Sequence, residues 1–353
     1  MKKTWCNEHR LIVEDLEQVA SDPVIPWEQL REKTILITGA TGFIGSLITK
    51  ALLYYSETRS IPIQIIAQTR SLEKAQSVFK GQQAYVGQAL HFEAFDVRNT
   101  FRDLQNVDFI IHTASSTVSS DFVEKPVDTL MTSLRGTENV LQFAREQQSA
   151  SVLFLSSMEV YGQMEHENVC ESDSGYLDPL NLRSSYPQGK RVAETLCAAY
   201  ASQYGVPVKI ARLTLTFGAG VPETDNRVFA QFARSALAGK DIVLHTAGTT
   251  KRDYIYTADA VRCLLSILLL GENGEAYNVS NPDSYATIRD MAELCCSFST
   301  TSKLVFEISE EQAKKYAKEV HIQLDNTKMN SLNTFKKVGL KESFERMMKV
   351  MSL

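Results

Sequence analysis

A short apolar segment followed by regularly spaced glycines constrains the fold of this chain more than any other feature. Residues 33–38 are Lys-Thr-Ile-Leu-Ile-Thr, mostly apolar and β-branched, which predicts a buried β-strand. Gly39, Gly42 and Gly45 follow, and a helical pattern begins directly after them. A strand, a glycine turn and a helix in this order are typical of dinucleotide-binding units, although an ordinary turn between a strand and a helix would also use glycine.

Each glycine would have a separate physical task in such a unit. Gly39 would allow the tight turn, Gly42 would let backbone N–H groups approach a pyrophosphate, and Gly45 would let the helix pack against the strand. The amino terminus of the helix would then face the phosphates. We therefore predict cofactor contacts along the whole turn, from Gly39, Thr41, Gly42, Phe43, Ile44 and Gly45.

Predicted strands and helices alternate over the following part of the chain. Further strands are predicted at residues 63–67, 90–95, 107–112, 151–155 and 206–212, and long helices at 127–147 and 186–204. This alternation predicts an α/β fold, with a doubly wound parallel sheet that has helices on both faces. Ligands of such sheets bind at the carboxyl ends of the strands, where the glycine turn, Asp96, His112–Ser116 and Ser156–Ser157 lie.

Composition and charge exclude several other classes of protein. The net charge is −5 and the 37 lysine and arginine residues are dispersed, so no nucleic-acid partner is expected. The six cysteines lack metal-ligand spacing, which predicts no metal site and a reduced, cytoplasmic protein. The amino terminus lacks the apolar run of a signal peptide. The apolar segment 261–270 contains Arg262 and is too short to span a bilayer, so no membrane partner is expected.

Tyr186 and Lys190 are spaced so that they share one face of the helix predicted at 186–204. A nearby cation favours the phenolate and lowers the pKa of a tyrosine from its usual value near ~10. Lowering that pKa to ~7 requires about 4 kcal/mol, more than one lysine is expected to supply, so a positive nicotinamide ring and a helix dipole would have to contribute. The pair is a candidate acid–base unit only in combination with a dinucleotide site, because alone it could be a surface pair.

Taken in order, the motifs resemble those of the extended short-chain dehydrogenase/reductase superfamily, in its NAD-dependent epimerase/dehydratase family that acts on nucleotide sugars. UDP-glucose 4-epimerases and UDP-glucuronate decarboxylases are similar members. The shared motifs, within residues 33–285, are the glycine turn, Asp96-Val-Arg, His112-Thr-Ala-Ser, Ser157-Met-Glu-Val-Tyr-Gly, Tyr186-x-x-x-Lys190 and Arg252-Asp-Tyr-Ile-Tyr-Thr-Ala-Asp259. The resemblance implies a nucleotide-diphosphate sugar as substrate and a homodimer built on the helices at 127–147 and 186–204.

Residues 1–32 precede the first predicted strand and are expected to form an N-terminal extension, in which apolar spacing predicts a helix at 11–20 that packs on the domain or on a partner subunit. The resemblance implies a division of the rest of the chain into two parts. Residues 33–212 would form the dinucleotide-binding Rossmann domain and include the catalytic residues. Residues 213–353 would form mainly a smaller substrate-binding lobe, with possible segments that return to the Rossmann domain.

Catalytic roles follow from the resemblance for three side chains. Tyr186 would take the proton from a sugar hydroxyl while hydride moves to nicotinamide. Lys190 would lower the pKa of Tyr186 and hydrogen-bond the nicotinamide ribose. Ser157 would orient the same hydroxyl, and the competing Ser156 is disfavoured by alignment to the Val-Tyr-Gly end of the motif.

Met158 and Glu159 distinguish between the reactions of the family. The 4,6-dehydratases usually carry Thr-Asp-Glu before Val-Tyr-Gly, and the Asp protonates the leaving hydroxyl. Met158 takes the place of that acid and cannot donate a proton, which disfavours dehydration. Glu159 is retained, as in the UDP-glucuronate decarboxylases, and we predict a catalytic role for it. It could instead serve epimerisation or cap a loop.

The substrate contacts are predicted from Ser157, Met158, Glu159, Arg227 and Arg252. Both arginines are candidates to bind a diphosphate, because guanidinium forks suit phosphate oxygens, although either could form a surface salt bridge. Leu215 is a departure from the family, which usually has Asn at that position. An apolar side chain therefore replaces an amide that commonly contacts the phosphate side of the substrate.

Further cofactor contacts are predicted from Arg70, Asp96, Val97, Thr113, Ala114, Ser115 and Lys190. Asp96 would hydrogen-bond the adenine amino group. NAD enzymes usually place an acid after the second strand, whereas this chain has Gln-Thr-Arg-Ser at 68–71. An arginine there can accommodate the 2′-phosphate of NADP. The resemblance favours NAD, and Arg70 keeps NADP open.

Four functions remain open from the sequence. The first hypothesis is oxidation of a sugar at C4 and return of the hydride, with net epimerisation. The alternatives are decarboxylation of a nucleotide uronic acid through a 4-keto intermediate, NADP-dependent reduction of a keto-sugar, and a non-catalytic regulatory protein that binds the cofactor.

Overall fold

The computed structural model of the chain describes residues 5–6, 8–101, 104–308 and 319–352. Its strands are β1 (Lys33–Thr38), β2 (Ile63–Thr69), β3 (Leu90–Ala94), β4 (Phe109–His112), β5 (Ser151–Ser157), β6 (Asn168–Val169), β7 (Val208–Leu213), β8 (Leu215–Phe217), β9 (Ile242–Leu244), β10 (Lys251–Tyr256), β11 (Ala276–Val279), β12 (Asn281–Thr287), β13 (Leu304–Phe306) and β14 (His321–Leu324). Its helices are α1 (Arg10–Ala20), α2 (Phe43–Arg59), α3 (Leu72–Val78), α4 (Asp121–Glu124), α5 (Pro126–Gln147), α6 (Ser185–Tyr204), α7 (Val228–Leu237), α8 (Thr257–Leu270), α9 (Ile288–Ser297), α10 (Thr327–Leu332) and α11 (Leu340–Met351).

The main sheet has seven strands in the order β11-β7-β5-β4-β1-β2-β3, and all its neighbours pair in parallel. The α/β prediction with a doubly wound parallel sheet is therefore confirmed. The chain adds β2 and β3 on one side of β1 and then places β4 on the other side. The strand order thus reverses beside β1, and a ligand crevice is expected where the carboxyl ends of β1 and β4 diverge.

Strand β1 shows how the sheet is buried on both faces. Ile35 and Ile37 face a core shared with α1, α2 and α8, whereas Leu36 faces a core shared with α5 and α6. All three side chains are inaccessible to solvent. The continuous apolar run of this segment is therefore explained, since a parallel strand covered by helices on both sides has no polar face.

The N-terminal residues pack against the helices that cover one face of the main sheet. Trp27 stacks on Tyr55 of α2, with ring centroids 4.0 Å apart and an interplanar angle of 12°. Asp15 of α1 accepts hydrogen bonds from Tyr256 at 2.6 Å and from Arg346 at 2.7 Å. The extension is thereby joined to residues that lie far away in the sequence.

The C-terminal part of the chain contributes to two sheets. Strand β11 pairs with β7 at the edge of the main sheet. A second sheet has the order β12-β10-β14-β6, and β8 also pairs with β10. The sequence analysis assigned residues 213–353 mainly to a smaller lobe, without predicting strands near the carboxyl terminus. The structure places β13 and β14 there in addition to α10 and α11, and residues 309–318 lie outside the described part. Four-residue strands such as β14 are too short for a periodic pattern to reveal them.

Asp253 in β10 has a buried carboxyl group with no cation among its close partners. One oxygen accepts a hydrogen bond from the backbone N–H of Leu324 at 2.6 Å, and the other is buried and has no hydrogen-bond partner in the part of the chain that the structure describes. Burial raises the pKa of Asp253 from 3.8 to about 7. Between those two values the folded state binds more protons at Asp253 than the unfolded state does. The contribution of the protonated Asp253 to the free energy of unfolding therefore falls as the pH rises and is absent above about pH 7.

The Asp253→Asn variant should therefore be more stable than the wild type at about pH 8, by about 1–3 kcal/mol, and this difference should vanish near pH 4. Urea denaturation across this pH range measures it. Asp283→Asn, an exposed carboxylate on the neighbouring β12, is the matched control and should show no such trend. Parallel pH profiles for the wild type and Asp253→Asn would contradict the assignment.

Candidate active site

A cleft of about 810 Å³ lies at the carboxyl ends of the central strands of the main sheet. Its lining includes residues at or just after the carboxyl ends of β1, β2, β3, β4, β5 and β7. Every residue that the sequence analysis assigned to cofactor, substrate or catalysis lines this cleft. Residues spread from Gly39 to Arg252 in the sequence are thus brought to one place.

The glycine turn leaves no room for side chains. Gly39 has a φ of +67°, and a Cβ there would lie 2.8 Å from the backbone of Ala114. A Cβ on Gly45 would lie 2.6 Å from the carbonyl oxygen of Gly39 and 2.8 Å from Oγ1 of Thr113. Helix α2 begins at Phe43, with Gly42 at its N-cap, so its first N–H groups face the cleft. This cradle fits the pyrophosphate of a dinucleotide.

Asp96 lies at the end of the cleft that β2 and β3 form. It accepts hydrogen bonds from the backbone N–H and the guanidinium of Arg98, the shortest at 2.7 Å, and these bonds lower the pKa of Asp96. Arg98 also donates to Asp128 at 2.9 Å. Arg98 was not among the predicted site residues, although its position two residues after Asp96 is the spacing at which such a pair forms.

Ser157, Tyr186 and Lys190 come together at the other end of the cleft. The Ser157 hydroxyl lies close enough to Tyr186 to act on its pKa, and it accepts a hydrogen bond from the backbone N–H of Glu159 at 3.2 Å. The ammonium of Lys190 donates to the carbonyl oxygen of Leu155 at 2.7 Å and lies 5.9 Å from the centroid of the Tyr186 ring. Burial lowers the pKa of Lys190 to about 8, against the opposing charge of Glu194.

The predicted lowering of the Tyr186 pKa by Lys190 is not seen. Burial raises the pKa of Tyr186, the charge of Glu159 raises it further, and the nearby Ser157 hydroxyl only partly opposes them. Both side chains of the pair are buried, and desolvation disfavours the charged form of each, the phenolate of Tyr186 and the ammonium of Lys190. A positively charged nicotinamide ring, when bound, supplies charge that favours the phenolate.

The neighbouring serine is turned away from this group. Ser156 donates a hydrogen bond to Glu194 at 2.5 Å, and Glu194 is paired with Arg212 at 2.7 Å. Adjacent residues of a strand face opposite sides, so only one of the two serines can face Tyr186. The geometry therefore favours Ser157 over Ser156.

An aromatic ring and an arginine that the sequence analysis missed cover Tyr186. The ring of Phe122 stacks on Tyr186, with centroids 4.5 Å apart and an interplanar angle of 3°. The guanidinium of Arg183 lies 4.6 Å from the Phe122 centroid and pairs with Glu159 at 3.1 and 3.3 Å. Arg183 lies three residues before Tyr186, and this closeness in the sequence could have indicated that Arg183 belongs to the site. Phe122 lies in the short helix α4, where no motif marked it.

The predicted substrate arginines differ in their surroundings. Arg227 is paired with Asp225 at distances of 2.5–3.1 Å. In contrast, Nε of Arg252 is buried and has no hydrogen-bond partner among the described residues. A buried guanidinium nitrogen without a partner is costly, so Arg252 is the better placed of the two to receive an anionic group.

The apolar departures from the family also lie in the cleft wall. Met158 is buried, and its sulfur lies 3.4 Å from the Thr214 hydroxyl, which donates to the carbonyl oxygen of Asp253 at 2.6 Å. Leu215 begins β8 and lines the cleft. In the described ranges we find no group of three or more His, Cys, Asp or Glu side chains that could hold a metal ion. Over the same ranges, no helix is both long and apolar enough to cross a bilayer.

The parallel sheet, the glycine cradle and the cluster of Ser157, Tyr186 and Lys190 define a Rossmann-fold protein of the short-chain dehydrogenase/reductase type. Residues 35–280 match the model of the NAD dependent epimerase/dehydratase family. This chain belongs to that family.

Characterised relatives and solved structures agree with this assignment. UDP-glucuronic acid decarboxylase 1 of Danio rerio is 33% identical over 267 residues, which cover 74% of this chain but only 60% of that protein. UDP-glucuronic acid decarboxylase 6 of Arabidopsis thaliana is 31% identical over 262 residues, covering 73% of this chain and 72% of the relative. The structure of UDP-glucuronic acid 4-epimerase from Bacillus cereus in complex with NAD superposes with a TM-score of 0.71 at 22% identity. That superposition covers 90% of this chain and 96% of the epimerase and shows the shared fold.

Proposed function

We propose that this protein decarboxylates a nucleotide-linked uronic acid through a 4-keto intermediate. The observation that carries the proposal is the placement of Glu159 beside Tyr186 and Ser157, in a chain whose similar relatives are named UDP-glucuronic acid decarboxylases. The sequence analysis placed epimerisation first. Both reactions begin with the same oxidation at C4, and the names of the relatives favour decarboxylation.

The proposed first step uses the cluster around Tyr186. The phenolate of Tyr186 takes the proton from the C4 hydroxyl, and Ser157 orients that hydroxyl through a hydrogen bond. A nicotinamide cofactor held along the glycine turn, from Gly39 to Gly45, would supply the redox chemistry by accepting the hydride from C4. The ammonium of Lys190 is held by its hydrogen bond to the carbonyl oxygen of Leu155, and Lys190 lines the cleft beside Tyr186.

The 4-keto group makes the next step possible. With a ketone at C4, the carboxylate on C5 is that of a β-keto acid, so the bond between C5 and the carboxyl carbon can break. Its electron pair moves to the C4 oxygen, carbon dioxide leaves, and a proton is added to C5. Return of the hydride to C4 and of the proton from Tyr186 completes a reaction that is redox-neutral overall.

Charge at the substrate end of the cleft suits an anionic sugar nucleotide. Arg183, Arg227 and Arg252 all line the cleft, and their guanidinium groups are candidates to donate to phosphate or carboxylate oxygens. Leu215 and Met158 contribute apolar surface to the cleft wall. The proposed substrate is therefore held by its anionic groups, and the sugar ring is placed against the apolar wall.

The reaction is tested by supplying UDP-glucuronate and other nucleotide uronic acids to the purified protein and following products by NMR and released carbon dioxide. Carbon dioxide with a pentose product supports the proposal. An epimer that retains all carbons would replace it with epimerisation. Turnover that consumes NADPH stoichiometrically would replace it with keto-sugar reduction, and cofactor binding without turnover would favour a regulatory protein.

Glu159 should be required for the step that follows oxidation. The Glu159→Gln variant keeps the shape of the side chain but removes the charge that lies beside Tyr186 and pairs with Arg183. We expect carbon dioxide release to fall by about 10²-fold while cofactor affinity is unchanged. Glu165→Gln, an exposed carboxylate outside the cleft, is the control. Release at the wild-type rate by Glu159→Gln would remove Glu159 from the mechanism.

A homodimer built on α5 and α6 stays a prediction. The two helices pack against each other on one face of the sheet. Their outer surfaces carry exposed apolar side chains, including Val127 at 72% and Val192 at 44% exposure. Such residues on a shared surface are compatible with a partner subunit.

A further inference from the structure

NAD-binding folds usually have an Asp or Glu after the second strand, which hydrogen-bonds the ribose 2′-hydroxyl. This chain has no acid at that position, at the end of the cleft formed by β2. The residues at this position are Gln68, Thr69 and Arg70. The amide of Gln68 is buried and committed to the protein backbone. Its oxygen accepts from the N–H of Gly39 at 2.9 Å, and its nitrogen donates to the carbonyl oxygens of Thr69 and Phe95. Gln68 therefore supports the glycine turn and has no acceptor directed at the ribose.

Two cations line the cleft at this same end. Arg70 directly follows β2, and Lys74 lies in the first turn of α3. Both are exposed, and neither side chain forms a hydrogen bond or an ion pair with the described residues. The charge of Arg70 nevertheless reaches Asp96 and contributes to lowering its pKa. Both cations are therefore available to a ligand that occupies the cleft.

The acids at this end do not cancel the positive charge. Asp96 and Asp128 line the cleft, and both are paired with Arg98. Arg98, Arg70 and Lys74 give three positive charges against the two carboxylates, which leaves one net positive charge. With the carboxylates occupied by Arg98, the free cations are Arg70 and Lys74. An uncharged hydroxyl would gain little from them, whereas a phosphate dianion would gain charge-assisted hydrogen bonds.

We propose that the cleft binds a dinucleotide with a phosphate on the adenosine 2′-oxygen, NADP(H), in preference to NAD(H), and that Arg70 and Lys74 bind this phosphate. The proposal deepens the proposed function, because it assigns the cofactor class of the same site. It rests on the presence of a dinucleotide site and not on the identity of the sugar.

Direct binding measurements test this assignment independently of turnover. Purified full-length protein, freed of bound nucleotide, is titrated with NADPH and NADH by calorimetry, and with the fragments adenosine 2′,5′-bisphosphate and 5′-AMP. We expect NADPH to bind about tenfold or more tightly than NADH, and the fragments to show the same order. This preference should shrink as the salt concentration rises, because the cations are exposed.

The double variant Arg70→Ala/Lys74→Ala should lose the preference. Its affinity for NADPH should fall by about tenfold or more while its affinity for NADH stays unchanged. Lys80→Ala, an exposed lysine just beyond α3 and outside the cleft, is the matched control. Equal or tighter binding of NADH by the wild type would overturn the proposal, as would an equal loss for both cofactors in the double variant. Preference for NADH would leave the proposed decarboxylation standing, so the two failures are distinguishable.

Discussion

The Tyr186→Phe variant is expected to lose turnover by about 10²–10⁴-fold while its affinity for the cofactor is unchanged. The substitution removes only the phenolic oxygen and keeps the ring that stacks on Phe122 at 4.5 Å. It therefore removes the group proposed to exchange a proton with the C4 hydroxyl without opening a cavity. The hydroxyl of Ser157 keeps its hydrogen bond from the backbone N–H of Glu159.

Single-turnover kinetics and cofactor titration separate the two effects. Tyr204→Phe makes the same chemical change at the end of the same helix, on an exposed side chain outside the cleft, and should have no effect on either measurement. A Tyr186→Phe protein with wild-type turnover would show that another group moves the proton. Weakened cofactor binding in that variant alone would point to a structural role for the phenol.

The Gly45→Ala variant is expected to lose cofactor binding and stability together. Its Cβ would lie 2.6 Å from the Gly39 carbonyl oxygen and 2.8 Å from Oγ1 of Thr113, which itself donates to the Thr38 carbonyl oxygen at 2.6 Å. None of these atoms belongs to the far end of a flexible side chain, so α2 must move away from β1. We expect a loss of about 1–3 kcal/mol in unfolding free energy and about a 10²-fold loss in cofactor affinity.

Thermal or denaturant unfolding and calorimetry measure these two losses. Gly339→Ala provides the matched control, because a Cβ there meets no atom within 4 Å and its φ of −72° suits any residue. It should cost at most about 1 kcal/mol, the scale of a change at a helix N-cap. If Gly45→Ala binds the cofactor as tightly as Gly339→Ala does, the close packing of α2 on β1 does not shape the cofactor site.

Much of the Rossmann domain could be predicted because its signals are local. The apolar run of β1 predicted that strand with its observed bounds, since a parallel strand buried on both faces needs no alternation. The helices predicted at 127–147 and 186–204 agree with α5 and α6 to within one residue at the amino end. The alternation of these elements then placed the motifs at one edge of the sheet. Periodicity within a segment, together with glycine spacing, was sufficient for this part.

The strands of the second sheet could not be predicted in the same way. Strand β10 pairs with β12, β14 and β8, which come from distant parts of the chain. Short strands of this kind are stabilised by their partners rather than by their own pattern. The position of Arg252 in the cleft wall depends on this pairing.

The sequence by itself determined the fold class and the residues that meet in the cleft, because strand and helix patterns and the glycine turn act over short distances. Only the tertiary structure decided how those residues are charged and oriented. Burial raises the pKa of Tyr186, and Phe122 and Arg183 approach it from elements with no motif. The side chain of Gln68 accepts a hydrogen bond from the backbone of the glycine turn, and Arg70 is exposed at the adenosine end of the cleft. Desolvation and side-chain pairing depend on distant neighbours, which no local pattern specifies.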